Sequence, residues 1–97
     1  MVKHVVMFKL KGDSELRRRV ASEFAEALLA LPDKIECLQD MEAHLNENPA
    51  EDWDVMLIAT VGSMQEVDVY AKHPAHVAAA AIVAPHKESR ACVDYQI

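Results

Sequence analysis

Lys3-His4-Val5-Val6-Met7-Phe8-Lys9-Leu10-Lys11 is apolar on both faces through its middle. His4, Val6, Phe8 and Leu10 share one side of an extended chain. Val5 and Met7 share the other, flanked by Lys3, Lys9 and Lys11. A strand with two apolar faces belongs in the centre of a sheet, so residues 3–11 are predicted as a central strand. Trp53-Asp54-Val55-Met56-Leu57-Ile58-Ala59-Thr60-Val61 is nearly continuous apolar sequence and reads the same way.

The rest of the chain arranges itself around these two strands. Gly12-Asp13-Ser14 is a turn and helix cap. A helix is expected over residues 15–31. Leu16, Val20, Phe24, Ala27, Leu28 and Leu31 form its apolar stripe, and Pro32 stops it. Residues 35–45 alternate, with Cys37, Met41, Ala43 and Leu45 on one face and Glu36, Asp40, Glu42 and His44 on the other. That is a half-buried strand. A polar loop with Pro49 covers 46–52. Ser63-Met64-Gln65-Glu66 is a capping box opening a helix to about Ala71. His73-Pro74 breaks the chain, and a second helix runs from Pro74 to about Ala84, limited by Pro85. Residues 89–96 form the last strand, with Ala91, Val93 and Tyr95 on one face.

The resulting order, βαββαβ, is an α+β, ferredoxin-like arrangement. Helices cover one face of a four-stranded antiparallel sheet and leave the other open. Central strands apolar on both sides do not suit a wet face. A second copy packed against the open face, giving a homodimer, is the expected remedy.

A chain of 97 residues is read as a single domain, 1–97. Its 52% hydrophobic content is enough for a core. A chain this small still buries only roughly 60–65% of its unfolded surface, which adds weight to the dimer. The net charge of −6 argues against nucleic acid and against an anionic membrane surface, since both are held by clustered Lys and Arg. The apolar N-terminal run is short and interrupted by lysines, unlike a signal peptide. Cys37 and Cys92 are assigned to opposite edge strands, about 14 Å apart at ~4.8 Å per strand, so both are expected as free thiols. The expected location is the cytoplasm. Trp53 is read as interface packing.

The candidate chemistry lies at Tyr70-Ala71-Lys72-His73-Pro74-Ala75-His76. The helix break gathers a phenol and two imidazoles near one helix N-terminus. That end of the helix disfavours imidazolium, so His76 can stay neutral and accept a proton. Tyr70 can donate to a carbonyl oxygen as enolate charge develops. His4, on the inner face of the first strand, points toward the helices. The alternative is that Tyr70 and His76 bond locally and fix the helix restart. His73-x-x-His76 offers only two ligands without a third, so no metal is expected, and no cofactor.

Lys3-His4-Val5-Val6, the strand from Asp54 to Val61, Tyr70-Ala71-Lys72-His73-Pro74-Ala75-His76-Val77 and Val93-Asp94-Tyr95 together resemble the stress-responsive A/B-barrel (Dabb) family over nearly the whole length. The resemblance implies a homodimer whose two sheets form one dimeric α/β barrel. Most of the family has no established reaction, and some plant members are stress-induced stable oligomers. One branch is a polyketide cyclase that closes a ring by aldol condensation without metal or cofactor. In that branch the matching tyrosine and histidines line the pocket, which implies Tyr70, His76 and His4 as catalytic positions here. Its first-helix tyrosine has no counterpart; Phe24 and Ala27 stand nearest. Two functions follow. One is a small homodimer with a pocket between sheet and helices for a small apolar or carbonyl-containing ligand. The other is a cofactor-free cyclase or lyase with a His base and a Tyr donor.

Overall fold

The computed structural model describes residues 1–97. The chain runs β1 (Val2–Leu10), α1 (Ser14–Leu29), β2 (Asp40–Leu45), β3 (Val55–Val61), α2 (Met64–Lys72), α3 (Pro74–Val83) and β4 (Lys87–Gln96), with 3-10 turns at Leu31–Asp33 and Ala84–His86. The sheet order is β2-β3-β1-β4, antiparallel throughout. β1 and β3 are therefore the two central strands, as their two-faced apolar sequence requires.

Burial along β1 alternates without a break. Val2, His4, Val6, Phe8 and Leu10 are buried under the helices, and the residues between them are half-buried. Register carries the same division across the sheet. Val6 stands opposite Leu57 and Cys92 on the helix-covered face, and Val5 stands opposite Ile58 and Val93 on the open face. Val93 and Tyr95 remain 63% and 44% exposed there, beside half-buried Met7 and Met56. An apolar face of this kind is unusual for a chain that works alone.

The link from β1 to α1 shows why these residues turn where they do. Gly12 has φ +108°, and a Cβ added to it would meet Leu16 Cδ2 at 2.8 Å. Asp13 Oδ1 then accepts from Leu16 N at 2.8 Å and caps α1. α1 buries Val20, Ala21, Phe24, Ala25 and Leu28. The Phe24 ring meets Phe8 edge-on, with centroids 5.4 Å apart. Burying a side chain of that size contributes about 2–3 kcal/mol. Asp54 ties the same corner together, its carboxylate accepting from Leu10 N at 2.7 Å and from Arg17 Nε at 3.2 Å.

Several boundaries differ from the sequence reading. α1 ends at Leu29, and Pro32 sits inside the 3-10 turn instead of following a helix to residue 31. β2 covers only Asp40–Leu45, not 35–45. Residues 34–39 wrap as turns, with Lys34 and Ile35 donating to the Leu31 carbonyl and Leu38 to that of Ile35. This buries Ile35 and Leu38 at a spacing of three, which a strand cannot do. Cys37 consequently lies in the turn before β2, its Sγ 3.8 Å from the Glu66 carbonyl oxygen. Trp53 precedes β3 and lines a groove with Met7 and Met56 at the open face. β4 begins at Lys87, two residues early. No helix is long and apolar enough to cross a membrane.

Candidate functional site

A cavity of about 220 Å³ lies between the sheet and the helices. His4 enters it from β1, Phe24 from α1, Tyr70 from α2 and His76 from α3. The three residues singled out from the sequence, Tyr70, His76 and His4, thus line one cavity. Of the two first-helix positions, Phe24 is part of the wall, whereas Ala27 packs against the core elsewhere.

The α2–α3 break builds the site. Ser63 caps α2 by accepting from Glu66 N at 3.3 Å, and Glu66 reaches back to accept from Gly62 N at 3.1 Å. α2 therefore starts at a fixed point and delivers Tyr70 inward in its last turn. His73 then leaves the helix with ψ 136° and caps α3, its Nδ1 accepting from Ala75 N at 3.0 Å. Its imidazole is thereby occupied as a cap. His76, in the first turn of α3, folds back so that its ring lies 4.6 Å from that of Tyr70, centroid to centroid.

Each polar group in the cavity has a definite state. His76 Nδ1 is 2.9 Å from the Ala71 carbonyl oxygen. A carbonyl only accepts, so Nδ1 carries the proton and the neutral ring keeps a lone pair on Nε2. Burial pushes the His76 pKa below the ordinary imidazole value. The Ala71 carbonyl opposes that shift, and the positive charge of Arg90 adds to it. Burial, rather than the helix terminus invoked from sequence, is the first cause of its neutrality. Tyr70 is 1% exposed, and burial pushes its phenol well above the usual range, so it stays protonated as a donor. Its hydroxyl has no hydrogen-bond partner within the chain. An unmade bond of that kind costs about 1–3 kcal/mol.

His4 is held from behind. Its Nδ1 is 2.5 Å from Asp94 Oδ1 on β4, and its ring meets Tyr70 edge-on with centroids 5.9 Å apart. An ionised carboxylate only accepts, so the proton sits on Nδ1 and Nε2 is the free nitrogen. Asp94 escaped the sequence reading as a site residue. Alternation puts Asp94 on the face opposite Val93 and Tyr95 but does not say which face is inward. Pairing of first and last strands sets it opposite His4.

Cys92 Sγ lies 3.5 Å from His4 Nδ1 and 3.8 Å from Asp94 Oδ2. These three ligand atoms lie within 4.8 Å of one another and are the group best placed to hold a metal ion. Two nitrogen and oxygen ligands on one tetrahedral ion stand about 3.3 Å apart, given bond lengths of about 2.0–2.1 Å. The His4–Asp94 contact is too short for that and is a hydrogen bond as it stands. Both cysteines are free.

The comparisons fit this architecture. A dimeric Bacteroides fragilis protein of unknown function and ferredoxin-like fold is 46% identical, with a TM-score of 0.95 over 99% of this chain and 95% of its own. A dimeric ferredoxin-like protein of unknown function from Thermobifida fusca is 23% identical, with a TM-score of 0.81 over 99% and 90%. A hydroxynitrile lyase from Passiflora edulis shares the fold at 17% identity, with a TM-score of 0.78 over 99% and 92%. No curated protein matches the chain. The family model for the stress-responsive A/B-barrel domain matches residues 2–97, covering both central strands and the helix break that forms the cavity; the chain belongs to that family.

Proposed function

We propose that this protein is a homodimer whose cavity binds a small carbonyl compound and moves a proton on it, with His76 as base and Tyr70 as donor. The observation that carries this reading is the anchoring of His76: its Nδ1–H is committed to Ala71, leaving Nε2 as a lone pair beside a protonated, unpartnered phenol. His76 takes a proton from the carbon next to the carbonyl. The C–H electrons pass to the carbonyl oxygen, and the Tyr70 hydroxyl steadies the charge there. Where the enolate carbon then attacks a second carbonyl in the same molecule, the new alkoxide takes the proton back from His76. The step closes an aldol ring with no net change in protons. His4, backed by Asp94, orients the ligand. A positioned base of this kind is typically worth ~10²–10⁴ in rate.

The cavity restricts the ligand's size. At about 220 Å³ it holds roughly seven waters' worth of liquid, given ~30 Å³ each. A compact molecule fits; a long chain does not. The dimer rests on the open face, where Val5, Met7, Met56, Ile58, Val93 and Tyr95 form an apolar surface without helices over it. The free thiols suit a reducing compartment, and we place the protein in the cytoplasm.

Proton transfer can be tested before any substrate is known. A panel of small enolisable carbonyl compounds is incubated with the protein in D₂O, and α-proton exchange is followed by NMR. The expected result is exchange that depends on the protein and collapses in folded His76→Ala. Exchange unchanged in that variant, or none with any compound, overturns the reading.

A further inference from the structure

The cavity wall is apolar except for its histidines, Tyr70 and two cations, Lys87 and Arg90. Neither cation has a carboxylate partner; Lys3, Lys11, Arg19 and Lys34 also lack one, but none of those lines this cavity. The chain carries 16 acidic residues against 10 Lys and Arg, yet no Asp or Glu lines this cavity. Arg90 stands opposite Phe8 on the helix-covered face of β4, two residues from Cys92 and four from Asp94. Asp94 bonds to His4 and makes no ion pair with Arg90. The positive charge of Arg90 reaches into the site: burial lowers the His76 pKa and Arg90 adds to that, whereas burial raises the Cys92 pKa and Arg90 opposes it.

An unpaired guanidinium at the edge of an apolar cavity selects for an anion. Its planar fork matches a carboxylate, and because Arg90 is exposed it can meet an incoming ligand without first losing a partner. Lys87 adds a point charge on the same side. We infer that the ligand is a small carboxylate: its head group pairs with Arg90 and Lys87, its apolar body lies against Phe8 and Phe24, and its carbonyl reaches Tyr70 and His76. This deepens the proposed proton transfer and rests on the cavity being a ligand site. It narrows the substrate class to compact oxo-carboxylates.

Benzoate and benzamide are suitable probes because they share size and shape but not charge. Each is titrated into the full-length protein, with backbone amide shifts followed by NMR. Benzoate is expected to shift resonances at Arg90, Tyr70 and His76 and to bind roughly two- to fivefold more tightly than benzamide, the range of a solvent-exposed ion pair. Arg90→Gln should abolish that preference, Arg90→Lys should keep part of it, and His76→Ala should leave it in place. Added salt should weaken benzoate but not benzamide, a check that needs no variant. Equal binding of the two probes, or a preference that survives Arg90→Gln, overturns the carboxylate assignment and leaves the cavity reading standing. If neither probe shifts the cavity resonances, the assignment falls, and the exchange assay judges the proton-transfer reading on its own.

Discussion

The two faces of the sheet mismatch their surroundings in opposite ways. The helix-covered face holds polar groups where apolar ones would pack at least cost: His4 is 7% exposed, and the Tyr70 hydroxyl is buried without a partner. The open face holds apolar groups where polar ones would be better solvated, with Val93 63% exposed. β4 displays both mismatches in one strand. Arg90, Cys92 and Asp94 face the cavity side, and Ala91, Val93 and Tyr95 face outward. Polar groups kept inside at a cost in stability mark chemistry. Apolar groups kept outside mark an interface. Under the proposed function, one strand serves the cavity on one side and the second copy on the other.

Neighbouring residues of opposite parity break this comparison most sharply. Leu57 is 3% exposed and faces the helices; Val5 is half-buried on the open face. Leu57→Glu places an unpaired charge in the core and should cost ~5 kcal/mol or more, against the ~5–15 kcal/mol typical of a whole domain. Loss of the far-UV circular dichroism signal at room temperature is the expected result. Val5→Glu should leave the fold intact and abolish the dimer, so that sedimentation at micromolar concentration changes from two chains to one. A wild-type monomer would remove the functional meaning assigned to the open face.

Substitutions inside the cavity should act on rate while leaving assembly alone. His76→Ala should lose about 10²–10⁴ of any proton-transfer rate, with sedimentation unchanged. Asp94→Asn keeps the shape but replaces the carboxylate opposite His4, and it should lose less, roughly tenfold, because His4 orients without acting as the base. A loss from Asp94→Asn equal to that from His76→Ala would reverse the roles of the two histidines.

What could be read from the sequence follows the same division. Strict alternation in β1 fixed both of its faces, because a period of two leaves no ambiguity when each face is apolar. The His73-Pro74 break was legible because proline has no backbone donor and suits a helix start. The 34–39 segment was not legible. Cys37, Met41, Ala43 and Leu45 continue the strand's period, while Ile35 and Leu38 are buried through turns that alternation cannot reveal. In the cavity, Tyr70 and His76 were legible as local sequence. The Asp94–His4 bond and the Arg90 side of the wall depend on pairing between strands some ninety residues apart in number, with His4 opposite Asp94. Such contacts are set by topology and register, and each residue alone reads as an ordinary edge-strand polar group.

The smallest expected effect concerns the buried imidazole itself. Burial lowers the His76 pKa from the ordinary value of about 6.5. The unfolded chain then takes up a proton near pH 6.5, whereas the folded chain does so only at lower pH. Between those points the unfolded state binds more protons, so stability falls as pH drops through 6.5 and levels off below the folded value. Thermal melts at pH 7.5 and 5.5 should show this as a lower midpoint in acid, by a few degrees at most because the ring is only half-buried. Other groups titrate in the same range, so the informative quantity is the difference from His76→Gln, whose midpoint should fall less over that interval. Equal falls in both proteins would mean that burial does not hold His76 neutral, and the base would then depend on its Ala71 hydrogen bond for orientation alone.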